Sequence, residues 1–209
     1  MKIIKHVIVS LLVLFFVTSV LGTVVSPNTD EQKQKLSEQE KMMKLWKEYA
    51  TPGENHKFLQ YFVGEWESIH KFFPEPGGEP FIGKQEISVE MILDGRYLKA
   101  HIKKKVPEGK KAPEGLVITG YDNYKKEFIA VSFDNTSTTV YINRGTLDKT
   151  GKIRTETGFF DDVLTGKKNK VKAVTTIIDE DHYTYELFDV DESKGKENKV
   201  IEVNYTRKK

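Results

Sequence analysis

From residue 81 onward the chain alternates apolar and polar side chains with a period of two, interrupted at short intervals by clusters of Asp, Asn, Gly and Lys. Phe81, Gly83, Gln85, Ile87, Val89, Met91 and Leu93 alternate with Lys84, Glu86, Ser88 and Glu90, which predicts a long strand with one inward face and one wet face. Asp94-Gly95 marks a hairpin. The return strand, from Arg96 to about Lys105, sets Leu98, Ala100 and Ile102 against Tyr97, Lys99, His101 and Lys103 on the opposite face. Further strand-like runs lie at 116–121, 128–133, 138–146, 153–160, 171–178, 183–190 and 200–206, separated by turns such as DNYKK, DNTS, DKTGK and DESKGKEN. With a run at 66–73 the total is about ten strands on short links and no crossover helix, an antiparallel meander. Closing a meander removes its exposed edges. The expected fold is therefore all-β, a closed antiparallel up-and-down barrel.

Upstream the period becomes helical. In TPGEN, at 51–55, Thr51 is expected to cap the Glu54 amide, the Glu54 carboxylate to reach back to the cap, and Pro52 to occupy the first helical position. Phe58, Leu59, Phe62 and Val63 then form an apolar stripe, and Gly64 offers a stop. Beyond Gly64 the period returns to two, placing Trp66, Ser68, His70 and Phe72 on one face. A short helix plugging the barrel follows from this. Residues 31–49 predict a second helix, whose apolar edge of Met42, Leu45, Trp46 and Tyr49 comes late. It reads as a spacer that packs on the barrel by its last turns, or as a docking arm for a partner. The domain division is 1–22 as export signal, 23–50 as flexible tether and spacer helix, and 51–209 as barrel.

Composition changes this picture at the amino terminus. Lys2 and Lys5 precede an almost wholly apolar run from Val7 to Leu21, followed by Gly22, the pattern of a signal peptide cleaved near Gly22. The apolar core is shorter than the ~20 residues of a bilayer span, so the mature chain is expected in the periplasm or outside the cell, without a stable membrane span. Of 33 basic and 31 acidic residues, only Lys2 and Lys5 fall in that signal, which leaves 31 of each. A neutral chain gives no support to a nucleic-acid role. With no Cys, the core and not disulfides must carry stability.

Candidate chemistry is sparse. Four histidines follow the signal, His56, His70, His101 and His182, and none forms a close metal-ligand pair. Neither a metal site, a cofactor nor a catalytic set is assigned. Alternation from Trp66 gives His70, Arg96, Tyr121, Ser132, Asp134, Tyr141, Glu156 and Tyr185 as candidate polar side chains of the barrel interior. Such groups in an apolar cavity orient a ligand. An enzyme pairing His70 with Asp134 or Glu156 is the minor alternative. The basic run 167–172 reads as a turn and a strand's wet face.

Two resemblances add to this reading. Gly64-Glu65-Trp66 after a short helix resembles the G-x-W start of the lipocalin and wider calycin barrels. Tyr205-Thr206-Arg207 stands where that group places a basic residue across the Trp, so Trp66 and Arg207 are expected to close the barrel. More specifically, GENHKFLQYFVGEWE, MILDGRYL, GYDNYKKEF, DDVLTGKK and IIDEDHYTYELF, in this order, resemble the bacterial family called domain of unknown function 1579. The resemblance implies a calycin-like barrel and supplies no established activity, cofactor or catalytic residue. The expected function is non-covalent binding of a small, partly apolar or amphipathic molecule. The alternative is an interaction protein whose barrel is filled by its own aromatic side chains.

Overall fold

Alternation of this kind yields strands buried on one face, and ten of them are present. A computed structural model describes residues 29–209 apart from 105, 107, 108, 110, 111 and 164. The expected export signal at 1–22 lies outside the described residues. The strands are β1 (Gly64–Phe72), β2 (Phe81–Ile92), β3 (Tyr97–Lys103), β4 (Glu114–Asp122), β5 (Glu127–Asp134), β6 (Tyr141–Leu147), β7 (Ile153–Asp161), β8 (Lys168–Ile177), β9 (His182–Asp191) and β10 (Lys196–Arg207). Each pairs antiparallel with its neighbours in sequence, and β10 returns to pair with β1, so the sheet closes. The register Trp66↔Arg207, Ser68↔Tyr205 and His70↔Val203 joins the two ends of the chain.

Two helices precede the barrel: α1 (Thr29–Ala50) and α2 (Glu54–Gln60). The chain divides into two compact units after Lys44. Up to that point α1 is a charged helix whose described side chains are exposed. In the second unit the last residues of α1 meet the β4–β5 turn. The Asn123 side-chain amide donates to a cluster of carbonyls from Glu48, Tyr49 and Thr51, at 2.9–3.2 Å. The Tyr49 and Tyr124 rings pack edge to face at 5.4 Å.

The start of α2 differs from the expected capping. Thr51 ends α1, its hydroxyl donating to the Lys47 carbonyl at 2.6 Å. Gly53 is the cap residue, and its N–H donates to His56 Nδ1 at 3.0 Å. His56 thus takes the part expected of the Glu54 carboxylate, because it is buried and faces back toward the cap while Glu54 pairs with Lys57 in solvent. The helix delivers Leu59 and, just past its end, Phe62 into the barrel, where both are buried. There they join Trp66, Phe128, Leu98 and Tyr183 in one cluster. Trp66 Nε1 donates to the Phe62 carbonyl at 2.7 Å, so the buried indole leaves no orphan donor.

Arg207 locks this corner. Its guanidinium lies 4.0 Å from the Trp66 ring centre and donates to the carbonyls of Val63 at 2.7 Å and Tyr61 at 2.8 Å. Those carbonyls follow the last turn of α2, where helical partners run out. Gly64 has φ +127°, and a Cβ there would stand 3.0 Å from Arg207 Nη1, so the first residue of the G-x-W triplet is fixed by backbone shape and by the clasp.

Arg207→Met should remove the stacked cation and its hydrogen bonds together, lowering unfolding free energy by about 2–4 kcal/mol in urea titrations. Arg207→Lys should recover less than half of that, because an ammonium cannot serve two carbonyls in a fixed fork.

Candidate functional site

Aromatic side chains fill the α2 end of the barrel and leave a cavity of about 300 Å³ beyond them, at the lower end of the ~300–1,000 Å³ common for ligand sites. Phe62 and Tyr183 face it from the filled end. One wall, from β2 to β5, is mainly apolar, with Ile87, Val89, Leu98, Ala100, Ile102, Val117 and Ala130. The other, from β6 to β9, carries Asn143, Arg154, Glu156, Thr175 and Tyr185. His70 and Tyr205 complete the ring on β1 and β10. A shallower concavity of about 510 Å³ lies outside the barrel against Tyr61, Lys152 and Arg207.

The polar wall is built around a charge pair. Arg154 and Glu156 are two apart on β7, both inward, and only 8% and 2% exposed. Arg154 Nε lies 3.3 Å from Glu156 Oε2, and the guanidinium carbon stands 5.6 Å from the Phe128 ring centre. Arg154 Nε and Glu156 Oε1 nevertheless have no hydrogen-bond partner. Burying such a pair costs several kcal/mol per ion unless its remaining polar atoms are met. Gly145, opposite Glu156 on β6, permits the strands to come close here, since a Cβ would sit 1.9 Å from the Thr155 carbonyl oxygen.

The remaining titratable groups of the cavity are held neutral. Burial, then the positive charge of Lys104, pushes His70 down to about 4, and its Nε2 lies 2.9 Å from the Ser68 hydroxyl. Burial, then the Glu156 carboxylate, pushes the Tyr185 hydroxyl up to about 12. Tyr205 is raised by burial and then by Tyr185. Beside these neutral groups, the lining's oppositely charged residue types are Arg154 and Glu156, paired as described above.

Of the eight candidate interior residues, His70, Ser132, Glu156 and Tyr185 line the cavity. Tyr121 packs on Phe128 at 4.9 Å and on His56 at 6.0 Å, in the filled end. Tyr141 opens β6 opposite Ser132, half-buried and apart from the cavity lining. Arg96 corrects its expectation. Three successive positive-φ residues, Leu93, Asp94 and Gly95, make the turn four residues long, pairing begins at Ile92↔Tyr97, and Arg96 donates to the Ala50 carbonyl outside the barrel. Asp134 is likewise outside. It ends β5 exposed and accepts hydrogen bonds from Thr136 and Ser137, which hold its carboxyl below the usual range. His70 and Glu156 share the cavity; Asp134 does not. Arg154, Asn143, Thr119 and Thr175 were missed, although Arg154 follows from Glu156 by the same two-residue step.

The other histidines serve locally. His101 pairs with Glu114, and His182 Nδ1 lies 2.8 Å from an Asp179 carboxylate oxygen in its turn. Among the described residues no three His, Cys, Asp or Glu side chains are grouped to hold a metal ion, and no helix is long and apolar enough to cross a membrane. In the basic run, Lys170 pairs with Glu192 and Lys172 with Glu197.

A family described as "Protein of unknown function (DUF1579)" matches residues 51–207. Functionally curated proteins yield no match. Among solved structures, the protein Rv2717c from M. tuberculosis is similar at 14% identity and TM-score 0.53, over 76% of this chain and 100% of that one. A redesigned β-barrel aligns at 8% identity and TM-score 0.38, over 72% of this chain and 95% of its own. At these identities the likeness to Rv2717c concerns fold alone.

His70 gives a pH-dependent readout of the interior. Its folded pKa, about 4, lies below the ordinary 6.5, so between these values the unfolded chain binds the extra proton and the fold does not. Stability must fall as pH drops from 6.5 toward 4. His70→Asn, which can keep a hydrogen bond to Ser68, should flatten that part of the melting-temperature profile. An NMR titration of the native chain should place the His70 midpoint near 4.

Proposed function

The chain belongs to the family of unknown function whose model spans residues 51–207, and because that description assigns no activity, we propose from the cavity itself that this is an exported barrel holding a small, partly apolar molecule without a covalent bond. The observation that carries the reading is the cavity of about 300 Å³ left inside a closed barrel that has aromatic side chains to spare. Those side chains pack the α2 end into a floor and stop. A protein built only to display its outer surface gains nothing from an unfilled interior, since each missing contact costs dispersion and burial energy. The floor itself is rigid: Tyr183 stacks on Tyr205 at 4.0 Å, and its ring meets Trp66 edge-on at 4.7 Å. A preformed apolar site binds without first ordering its walls.

Export is supported by the basic start and apolar run of residues 2–21. His70 and the buried tyrosines act as neutral hydrogen-bonding groups, and the apolar wall supplies most of the contact area.

N-phenyl-1-naphthylamine, an uncharged dye that brightens in apolar surroundings, should bind the purified chain at one site. Ala130→Phe and Ala100→Phe fill the cavity from its apolar wall, and each should weaken dye binding by at least about tenfold while the protein stays folded, at an overpacking cost of ~1–3 kcal/mol. A wild-type protein that neither brightens the dye nor carries a small molecule in native mass spectrometry, when taken from its own host, would defeat the reading.

A further inference from the structure

We propose that the ligand is an uncharged amphipath whose polar end places a hydrogen-bond donor beside an acceptor, as a primary carboxamide does, and that this end docks on Glu156 Oε1 and Arg154 Nε. The inference rests on the binding-barrel reading and adds to it the chemistry of the ligand. Glu156 and Arg154 are each more than nine-tenths buried, both line the cavity, and each has one buried polar atom without a hydrogen-bond partner, Arg154 Nε being held only by its ion-pair contact with Glu156 Oε2. One of these atoms is an acceptor and the other a donor, on the same face of one strand. A group that donates to the carboxylate and accepts from the guanidinium completes both at once.

Charge selects against the commoner amphipaths. The cavity's charges already cancel, so a fatty carboxylate or an alkylammonium would bring in a net charge with no free counter-charge, at a desolvation cost that a neutral polar end avoids. The apolar end has its place across the barrel. In the closed strand order four strands separate β7 from β2 in either direction, so Ile87 and Val89 of β2 lie across the barrel from the pair. An apolar chain held at β7 by its head therefore runs toward the apolar wall.

Competition against the bound dye tests this with decanamide, decanoate, decylamine and methyl decanoate. These share one apolar chain and differ in charge and in the donor. Decanamide should displace the dye at a concentration about tenfold lower than any of the others, the contribution of a hydrogen bond to a charged group. In the double variant Arg154→Met/Glu156→Leu, which leaves no lone buried charge, decanamide and methyl decanoate should compete with the dye equally within about twofold, whatever the dye's own affinity for the variant. In the native chain the Arg154 Nε–H NMR resonance should shift on saturation with decanamide, a readout that holds even if the double variant does not fold.

Equal displacement by all four compounds would overturn the proposal, since the pair would then be met by water alone or by itself. So would a decanamide preference that survives in the double variant, or an Nε–H resonance that does not move. If the dye binds and none of the four displaces it, the ligand chemistry is wrong while the barrel remains a binding barrel. If the wild-type chain neither binds the dye nor carries a small molecule in native mass spectrometry, both readings fall together.

Discussion

A guanidinium spread over an indole face, at the point where the last strand meets the first, is the contact on which the rest of this barrel depends. Arg207 does three things from one position. It stacks on Trp66, it satisfies the Tyr61 and Val63 carbonyls left open after α2, and it holds the start of β1 against the end of β10. A sheet of this length would otherwise present two unpaired edges. The same contact fixes the floor of the cavity, because Phe62 is delivered by the turn that Arg207 caps and its carbonyl receives the Trp66 N–H.

The interior is a compromise between two packing rules. At the α2 end, aromatic rings meet edge to face and fill the available space: Phe58 on Phe128 at 5.5 Å, Phe62 on Tyr183 at 5.0 Å. Farther along, the inward residues shrink to Ala100, Val117, Ala130 and Ala173, and a void opens. Into that void project the two ions of β7. An apolar pair of similar volume at those positions would often be as stable or more so, so their presence is a cost to the fold, one that the proposed polar end of a ligand would offset.

Much of this was legible from period alone. The strand count, the meander and the inward face of β2 follow from Ile87, Val89 and Met91, since burial of one face fixes register to the residue. The closing pair was legible because Gly64-Glu65-Trp66 and Tyr205-Thr206-Arg207 sit at the two ends of the barrel sequence. Strand ends were not. Arg96 and Asp134 obey the alternation of their strands, but pairing stops before one and the other bends into its own turn, where local hydrogen bonds outweigh period. The role of His56 was hidden for a different reason: a capping imidazole is uncommon, and only burial of its ring shows why Glu54 was passed over. Arg154 was in plain view by alternation, yet an arginine reads as a surface residue until its neighbour at two residues' distance is seen to face inward as well.

The joining of β1 to β10 also governs when the barrel can exist. Synthesis delivers β1 first, and Val63 waits for an Arg207 that lies 144 residues later. Until the twelve residues of β10 emerge, the preceding nine strands form at most an open sheet with both margins bare. The latch is therefore also a clock: assembly is governed by a long-range contact of the kind that slows folding, and a chain cut short before Lys196 has every wall of the cavity but one and no means of shutting it.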